Sequence, residues 1–207
     1  AAGNSYWNTA KDGDIDYSNF VQIGAFSYFH SEGSTPAGAA GVISVGNIGE
    51  RPEEYKRDSS NFGSGVDIWA PGSNIVSAVY GTNAASEFGI TLANDPRDSN
   101  YKIGSISGTS MASPQVCGVI ACYAEQNPNI NNSEALAYLI ATSKKDQIAS
   151  IGSDYGDFFW LGDNSNNRYL FYKLERQLTG SVFPNRSFKN RPTSGSVYPR
   201  TRIRAKG

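Results

Sequence analysis

Three short apolar stretches, rich in β-branched residues, predict strands in the first half of the chain, and the longest of them predicts a buried strand. The longest runs from Gly41 to Ile48, and two shorter candidates lie at residues 66–70 and 74–79. Continuous apolar character over so few residues is typical of strands that are covered on both faces. The Pro-Gly pair between the two shorter stretches marks a turn.

The second half of the chain predicts two helices. Ser110 to Glu125 carries apolar side chains on every side, which predicts a central, buried helix. Pro128 ends that helix, because the residue before a proline disfavours helical backbone. A second helix is predicted at residues 131–142, where Asn131 and Glu134 have the spacing of a capping box.

Two stretches lack a regular apolar pattern. Residues 5–34 are polar and aromatic, which predicts a long loop or an inserted subdomain, and residues 80–100 are expected to be irregular and exposed. Nothing approaches about 18 consecutive apolar residues, so no membrane span is expected.

Cys117 and Cys122 are five residues apart on the first helix, which puts their Cα atoms about 8–9 Å apart, too far for a disulfide. We expect both cysteines to be buried free thiols, so they do not indicate in which compartment the protein is found.

Charge divides the chain into two segments of opposite character. Residues 1–175 hold 10 Lys and Arg against 19 acidic residues, a net of −9, whereas residues 176–207 hold 8 Lys and Arg and no acidic residue. The second segment is also rich in proline and polar residues, and such a composition cannot build a core of its own. The predicted organisation is therefore a domain at 1–175 and a basic, extended arm at 176–207.

Seven of the eight basic residues of the arm lie at 186–206, where they are interleaved with Phe188 and Tyr198. Three interpretations are open: a solvated tail, a nucleic-acid-binding module, or an arm laid across an acidic neighbour in a larger assembly. We favour the assembly arm and consider nucleic acid the less favoured partner.

Candidate chemistry centres on Ser110, in the segment Gly-Thr-Ser-Met-Ala-Ser-Pro at 108–114. A serine at the start of a helix faces free N–H groups and the positive end of the helix dipole, which favour an oxyanion forming beside it. Ser110 is therefore a candidate nucleophile. The alternative is a helix cap with no chemical role.

The segment at 108–114, with the Gln-Val-Cys-Gly-Val that follows, resembles the nucleophile motif of the subtilases, the subtilisin-like serine peptidases. Further blocks resemble the family in the same order, so that the resemblance covers roughly residues 1–145: Ala1–Asn4, 35–46, 60–63, 66–72 and 75–78. It implies an α/β fold, part of a subtilisin-like fold with a mostly parallel sheet and a buried central helix that starts at the nucleophile. Residues 1–175 would be the C-terminal half of the peptidase domain.

The resemblance also implies roles for individual residues. Ser110 would be the nucleophile, and the side-chain amide of Asn4 and the backbone N–H of Ser110 would bind the oxyanion. Ala1, Ala2 and Gly3 would form part of the wall of the substrate pocket. No cofactor takes part in this chemistry. Structural calcium is common in the family, but no ligand cluster in the sequence supports a metal site.

A seryl hydroxyl needs a base, and the family's catalytic Asp and His lie upstream of the oxyanion asparagine. His30, the single histidine, lies downstream of Asn4 without the family's Gly-Thr-His context, so we interpret it as a surface or binding residue. Asp67 lies next to a predicted strand and is interpreted as structural. We expect an upstream half, or another chain, to complete the sheet and to supply the base.

Two functions follow as hypotheses. The first is a serine endopeptidase that cleaves polypeptide substrates once the Asp and His are supplied. The alternative is an inactive, subtilase-like structural component of a larger particle such as a phage virion, because residues 197–204 weakly resemble the tails of such proteins in tailed phages. An extracellular or virion location would suit these hypotheses.

Overall fold

The computed structural model describes residues 1–31, 33, 36–50, 54–79, 83, 85–86, 89–149, 159–162 and 165–172. All of them lie in one compact unit, Ala1–Lys173. The predicted arm at 176–207 lies outside the described residues, and its role stays a prediction. None of the helices in the described ranges has the length and apolar character needed to cross a membrane.

Nine strands and two helices are described. In chain order they are β1 (Phe20–Ile23), β2 (Phe26–Phe29), β3 (Val45–Ile48), β4 (Ile68–Pro71), β5 (Ile75–Val79), β6 (Leu92–Asp95), β7 (Asp98–Ile106), α1 (Thr109–Gln126), α2 (Asn132–Thr142), β8 (Lys144–Lys145) and β9 (Arg168–Tyr169).

The central sheet has the strand order β3-β4-β9-β8 and is mostly parallel, as expected. β3 pairs in parallel with β4, β4 in parallel with β9, and the short β8 runs antiparallel to β9. All four residues of β3 are buried, which agrees with the apolar stretch that predicted it. α1 packs against β3 and β4, and the residue before its start, Gly108, bonds to Gly72 directly after the carboxyl end of β4.

Side chains alternate across the sheet into two cores. One core lies between the sheet and the helices and contains Val45, Ile68 and Leu139. The other contains Ile48 and Trp69 with side chains from the loops. A side chain at Gly46 would overlap the fully buried Trp69 ring, so this position of β3 requires glycine.

Residues 80–100 were predicted to be irregular and exposed, and the first part of this prediction is wrong for residues 92–100, although most of the described residues in the range are exposed. β6 and β7 form a hairpin, and β5 joins it in a three-stranded antiparallel sheet with the order β5-β7-β6. Half of the residues of these strands are exposed, including consecutive residues that point to opposite faces of the sheet, and only Asp95 and Gly104 are buried. β5 corresponds to the strand predicted at 74–79, whereas the low burial of β6 and β7 explains why apolar alternation did not reveal them.

Residues 5–34 contain a second hairpin, formed by β1 and β2 with Phe20 paired to Phe29. All eight strand residues are exposed, although most of them are large and apolar. The segment is therefore more than a loop, because it adds a two-stranded element to the sheet domain.

Both predicted helices are confirmed within a residue or two at each end. Asn131 accepts from the backbone N–H of Glu134 and Glu134 accepts from that of Asn131, which completes the capping box of α2. The prediction that α1 is buried all round is wrong, since its buried residues are confined to one face. Cys117 and Cys122 are unbridged, as expected, but they are exposed rather than buried.

Candidate active site

The start of α1 is held against the end of β4 by glycine. The backbone N–H of Gly108 donates to the carbonyl of Gly72 at 2.8 Å. A Cβ at Gly72 would lie 2.6 Å from Asn47 Oδ1 and 2.6 Å from the Gly108 carbonyl, so no side chain fits there. The side-chain amide of Gln115 donates to the Pro71 carbonyl and adds a second link between helix and strand.

Ser110 is the second residue of α1 and is exposed, whereas Thr109 before it is buried. It therefore lies in the first turn, where backbone N–H groups point away from the helix and the dipole is positive. Pro114 lies inside the helix and has no N–H to donate to the carbonyl of Ser110 four residues earlier. These features are compatible with a nucleophile, and the role of Ser110 stays a prediction.

Asn4 lies at the same helix start, although more than one hundred residues separate the two in sequence. Its Oδ1 accepts from the backbone N–H of Thr109 at 2.9 Å and from Thr109 Oγ1 at 3.1 Å. A backbone N–H can only donate, so the oxygen of the Asn4 amide must face Thr109, and Nδ2 is the donor end. A Cβ at Gly108 would lie 3.4 Å from Nδ2, an ordinary contact distance, so the approach of Asn4 does not itself require glycine at this position.

Of the three residues predicted to line the substrate pocket, two reach the surface. Ala1 is exposed and Gly3 is half-buried, whereas Ala2 is packed in the core beside Phe62. Both backbone polar groups of Ala2 are bonded within the protein, its N–H to the Val45 carbonyl and its carbonyl to the side chain of Asn61. The role of Ala1, Ala2 and Gly3 in substrate binding stays a prediction.

His30 lies elsewhere, on a cavity of about 410 Å³ whose lining includes neither Asn4 nor Ser110. Its Nδ1 is buried and has no hydrogen-bond partner in the described part of the chain. Asp67 lines the same cavity, where it pairs with Lys11 and accepts from the backbone N–H of Ser44 at 2.7 Å. The structure thus brings Ser110 and Asn4 together but does not bring His30 or Asp67 to them.

Three polar residues behind this site were not singled out as functional by the sequence. Thr109 joins the two segments, because its Oγ1 also accepts from the backbone N–H of Gly3 at 3.1 Å. Asn61 and Lys56 are buried on the other side of residues 1–7, here named the N-terminal segment. A lysine and an asparagine in a polar stretch carry no signal of burial, so only their contacts identify them.

Lys56 is a fully buried cation in a cage of carbonyl oxygens and rings. Its Nζ donates to the carbonyls of Arg57 at 3.0 Å, Asp58 at 3.2 Å and Ser60 at 3.0 Å. It also lies 4.7 Å from the centre of the Tyr6 ring. Burial lowers the pKa of Lys56 from 10.5 to about 7, and the nearby charge of Asp58 opposes that change in pKa.

Within the described ranges, no group of three or more His, Cys, Asp or Glu side chains could hold a metal ion. The sequence-based expectation that the chemistry needs no cofactor, and that structural calcium lacks support, stays a prediction.

Comparison with known proteins identifies the family. The sequence profile described as the subtilase family matches residues 1–159. The alkaline proteinase of Hapsidospora chrysogena is 37% identical over 120 residues, which cover 58% of this chain and 25% of that protein. Subtilisin-like protease 8 of Arthroderma benhamiae is 34% identical over 119 residues, 58% of this chain and 20% of that protein. The chain thus spans a fifth to a quarter of these relatives.

A solved structure supports the fold. The crystal structure of a cold-adapted subtilisin-like serine proteinase matches 82% of this chain and 42% of its own, with a TM-score of 0.50 and 24% sequence identity. The resemblance drawn from the sequence and the α/β, subtilisin-like fold are confirmed. The weak resemblance of residues 197–204 to phage proteins stays a prediction.

Proposed function

The chain belongs to the subtilase family, and we propose that it carries the nucleophile and the oxyanion donors of a serine endopeptidase. The observation that supports this most directly is the bond from Thr109 to Asn4. The Asn4 amide is bonded to the residue directly before the exposed Ser110, at a helix N-terminus, which supports a shared role for the two residues. A pair of donors next to a seryl hydroxyl is the arrangement that acyl transfer requires.

In the proposed reaction, Ser110 Oγ attacks the carbonyl carbon of the scissile peptide bond while a base takes the hydroxyl proton. The negative charge forms on the carbonyl oxygen, which accepts from Asn4 Nδ2 and from the backbone N–H of Ser110. The C–N bond then breaks, and the leaving amine takes the proton from the base. Water attacks the resulting ester, and the acid product leaves Ser110 free again.

The proposed reaction requires a base, which we do not assign to any of the described residues. His30 lies on a cavity that includes neither Asn4 nor Ser110, so it does not fit that role. We propose that His and Asp come from an upstream segment or from another chain that completes the sheet. The exposed face of α1 supports this, because Cys117, Gly118 and Ala121 are small and mostly apolar yet remain uncovered. A helix with apolar residues on every side is expected to pack against other parts of a protein on both of its faces.

A fluorophosphonate reagent tests the proposal, since it reacts only with an activated serine. We expect the full-length native protein to gain one phosphonyl group per chain by intact-mass spectrometry, and peptide mapping should place it on Ser110. Ser110→Ala should abolish labelling, whereas Ser133→Ala, at an exposed serine of α2, should leave it unchanged. Absence of labelling in the full-length protein would overturn the proposal and favour the inactive structural component.

A further inference from the structure

Asn61 bonds to the N-terminal segment on both sides of Asn4. Its Nδ2 donates to the Ala2 carbonyl at 2.8 Å, and its backbone N–H donates to the Gly3 carbonyl at 2.9 Å. Its Oδ1 accepts from the backbone N–H groups of Ser5 and Trp7, each at 3.0 Å. One residue therefore contributes four hydrogen bonds to the backbone that immediately precedes and follows Asn4.

The backbone held by these bonds is not in a relaxed conformation. Gly3 has a φ of 105° and Tyr6 a φ of 53°, so both neighbours of the Asn4–Ser5 pair lie in the left-handed region. A non-glycine residue there costs about 1–2 kcal/mol, and it persists only where its surroundings hold it. The Tyr6 N–H donates to the Ser59 carbonyl at 3.0 Å, while Asn61 holds the residues on either side of Tyr6.

Asn61 is itself fixed, because it is 2% exposed and lies in a loop bonded to the sheet and to Lys56. The Ser60 hydroxyl donates to the Asn61 carbonyl at 3.0 Å and accepts from the backbone N–H of Asn47 in β3 at 3.1 Å. The Lys56 ammonium bonds to three carbonyls of residues 57–60, directly before Asn61. Movement of Asn61 would therefore break bonds to the core as well as to the N-terminal segment.

We propose that Asn61 is the positioning residue for Asn4, holding its amide beside Ser110 through the four backbone bonds, with Lys56 fixing the loop that carries Asn61. Asn61 does not touch the substrate in this arrangement. The inference rests on the proposed function for its kinetic consequence, because an oxyanion donor must already be in place when charge develops. The arrangement of the N-terminal segment itself does not depend on that function.

A double-mutant cycle tests this proposal in the full-length protein. Asn61→Ala removes the three side-chain bonds, and we expect kcat to fall by about 10- to 100-fold with KM unchanged, less than the roughly 10²–10³ lost when a subtilisin loses its oxyanion asparagine. In an Asn4→Ala background, Asn61→Ala should change kcat by less than about 2-fold, because the group that it positions is gone. An equal loss in both backgrounds, or wild-type kcat in Asn61→Ala, would overturn the proposal.

A conservative variant guards against simple loss of folding. Asn61→Asp keeps an oxygen that accepts from Ser5 and Trp7 but loses the donor to Ala2, so kcat should lie between those of the wild type and Asn61→Ala. If Asn61→Ala does not fold, Asn61→Asp takes its place in the cycle, and additivity with Asn4→Ala again contradicts the proposal.

Amide hydrogen exchange separates this proposal from the proposed function. In Asn61→Ala, the amides of Ser5 and Trp7 should exchange at least about 10-fold faster, whereas the Ala10 amide, which donates to the His30 carbonyl, should not change. If the wild-type protein neither reacts with fluorophosphonate nor turns over a peptide, the proposed function fails. The positioning role of Asn61 is then tested by amide hydrogen exchange alone. Unchanged protection at Ser5 and Trp7 would then overturn the positioning role.

Discussion

The N-terminal segment and the β1–β2 hairpin are separated by residues 8–19 and both contain aromatic residues, but their environments differ sharply. Phe62, which packs on the N-terminal segment through the Tyr6 ring at 4.9 Å, is 7% exposed. Phe26 in the hairpin is 68% exposed. The two regions meet at an edge contact of Trp7 with Tyr28, with the ring centres 5.1 Å apart.

The difference shows what marks the candidate site in this molecule. Aromatic content does not distinguish the two regions, whereas backbone bonding to buried side chains does. Asn61 and Thr109 hold the N-terminal segment from both sides, while the described bonds of the hairpin strands are made within the hairpin. A region that must present one amide in one orientation needs such bonds, and an exposed two-stranded hairpin does not supply them.

The largest effect is expected from removing the aromatic ring behind the N-terminal segment. Phe62→Ala should lower the free energy of unfolding by about 3–5 kcal/mol, because it leaves a cavity among Tyr6, Trp160 and Leu161. Denaturant unfolding of the full-length protein measures this. If the free energy of unfolding falls by less than about 1 kcal/mol, the difference in burial between the two regions is not matched by a difference in their contribution to stability.

Asn4→Ala should leave the fold intact and lower kcat by about 10²–10³, equal to roughly 2.7–4 kcal/mol of transition-state stabilisation. The expectation rests on the proposed function. Asn4→Asp is the matched control, since a carboxylate still accepts from Thr109 but cannot donate to an oxyanion; it should lose at least as much. A kcat near the wild-type value in Asn4→Asp would show that the Asn4 amide does not donate to the oxyanion.

Lys56 should make stability depend on pH. Its pKa is about 7 in the folded protein and 10.5 without burial, so between these values unfolding takes up a proton. The free energy of unfolding should therefore rise with pH from about 7 to 10.5, with a slope from this group approaching about 1.4 kcal/mol per pH unit. Lys56→Met should remove that slope between pH 8 and 10, while Lys145→Met, at an exposed position, should keep it. An unchanged slope in Lys56→Met would contradict the prediction.

The smallest effect is expected in the hairpin. Phe26→Ala changes the same side chain as Phe62→Ala but at an exposed position, so the free energy of unfolding should change by less than about 0.5 kcal/mol. Denaturant unfolding under identical conditions allows direct comparison of the two variants. A loss above about 1 kcal/mol would show that the hairpin face is covered in the full-length protein.

Much of the fold could be predicted because the relevant signals are local. The limits of α1 and α2 follow from helical periodicity and from the capping box at Asn131, which connect residues only three or four positions apart. β3 was recognisable because both of its faces are buried. β6 and β7 were missed because exposed strands are held by pairing, which leaves little trace in the apolar pattern.

The sequence by itself determined the family, the two helices and the identity of Ser110 and Asn4 as candidate residues, since these depend on contiguous motifs. Only the tertiary structure decided which face of α1 is covered, that Asn4 reaches Thr109 across 105 positions, and that Asn61 and Lys56 lie behind the N-terminal segment. Those contacts join residues that are distant in sequence. Their geometry depends on how the chain packs as a whole, which no local pattern of residues records.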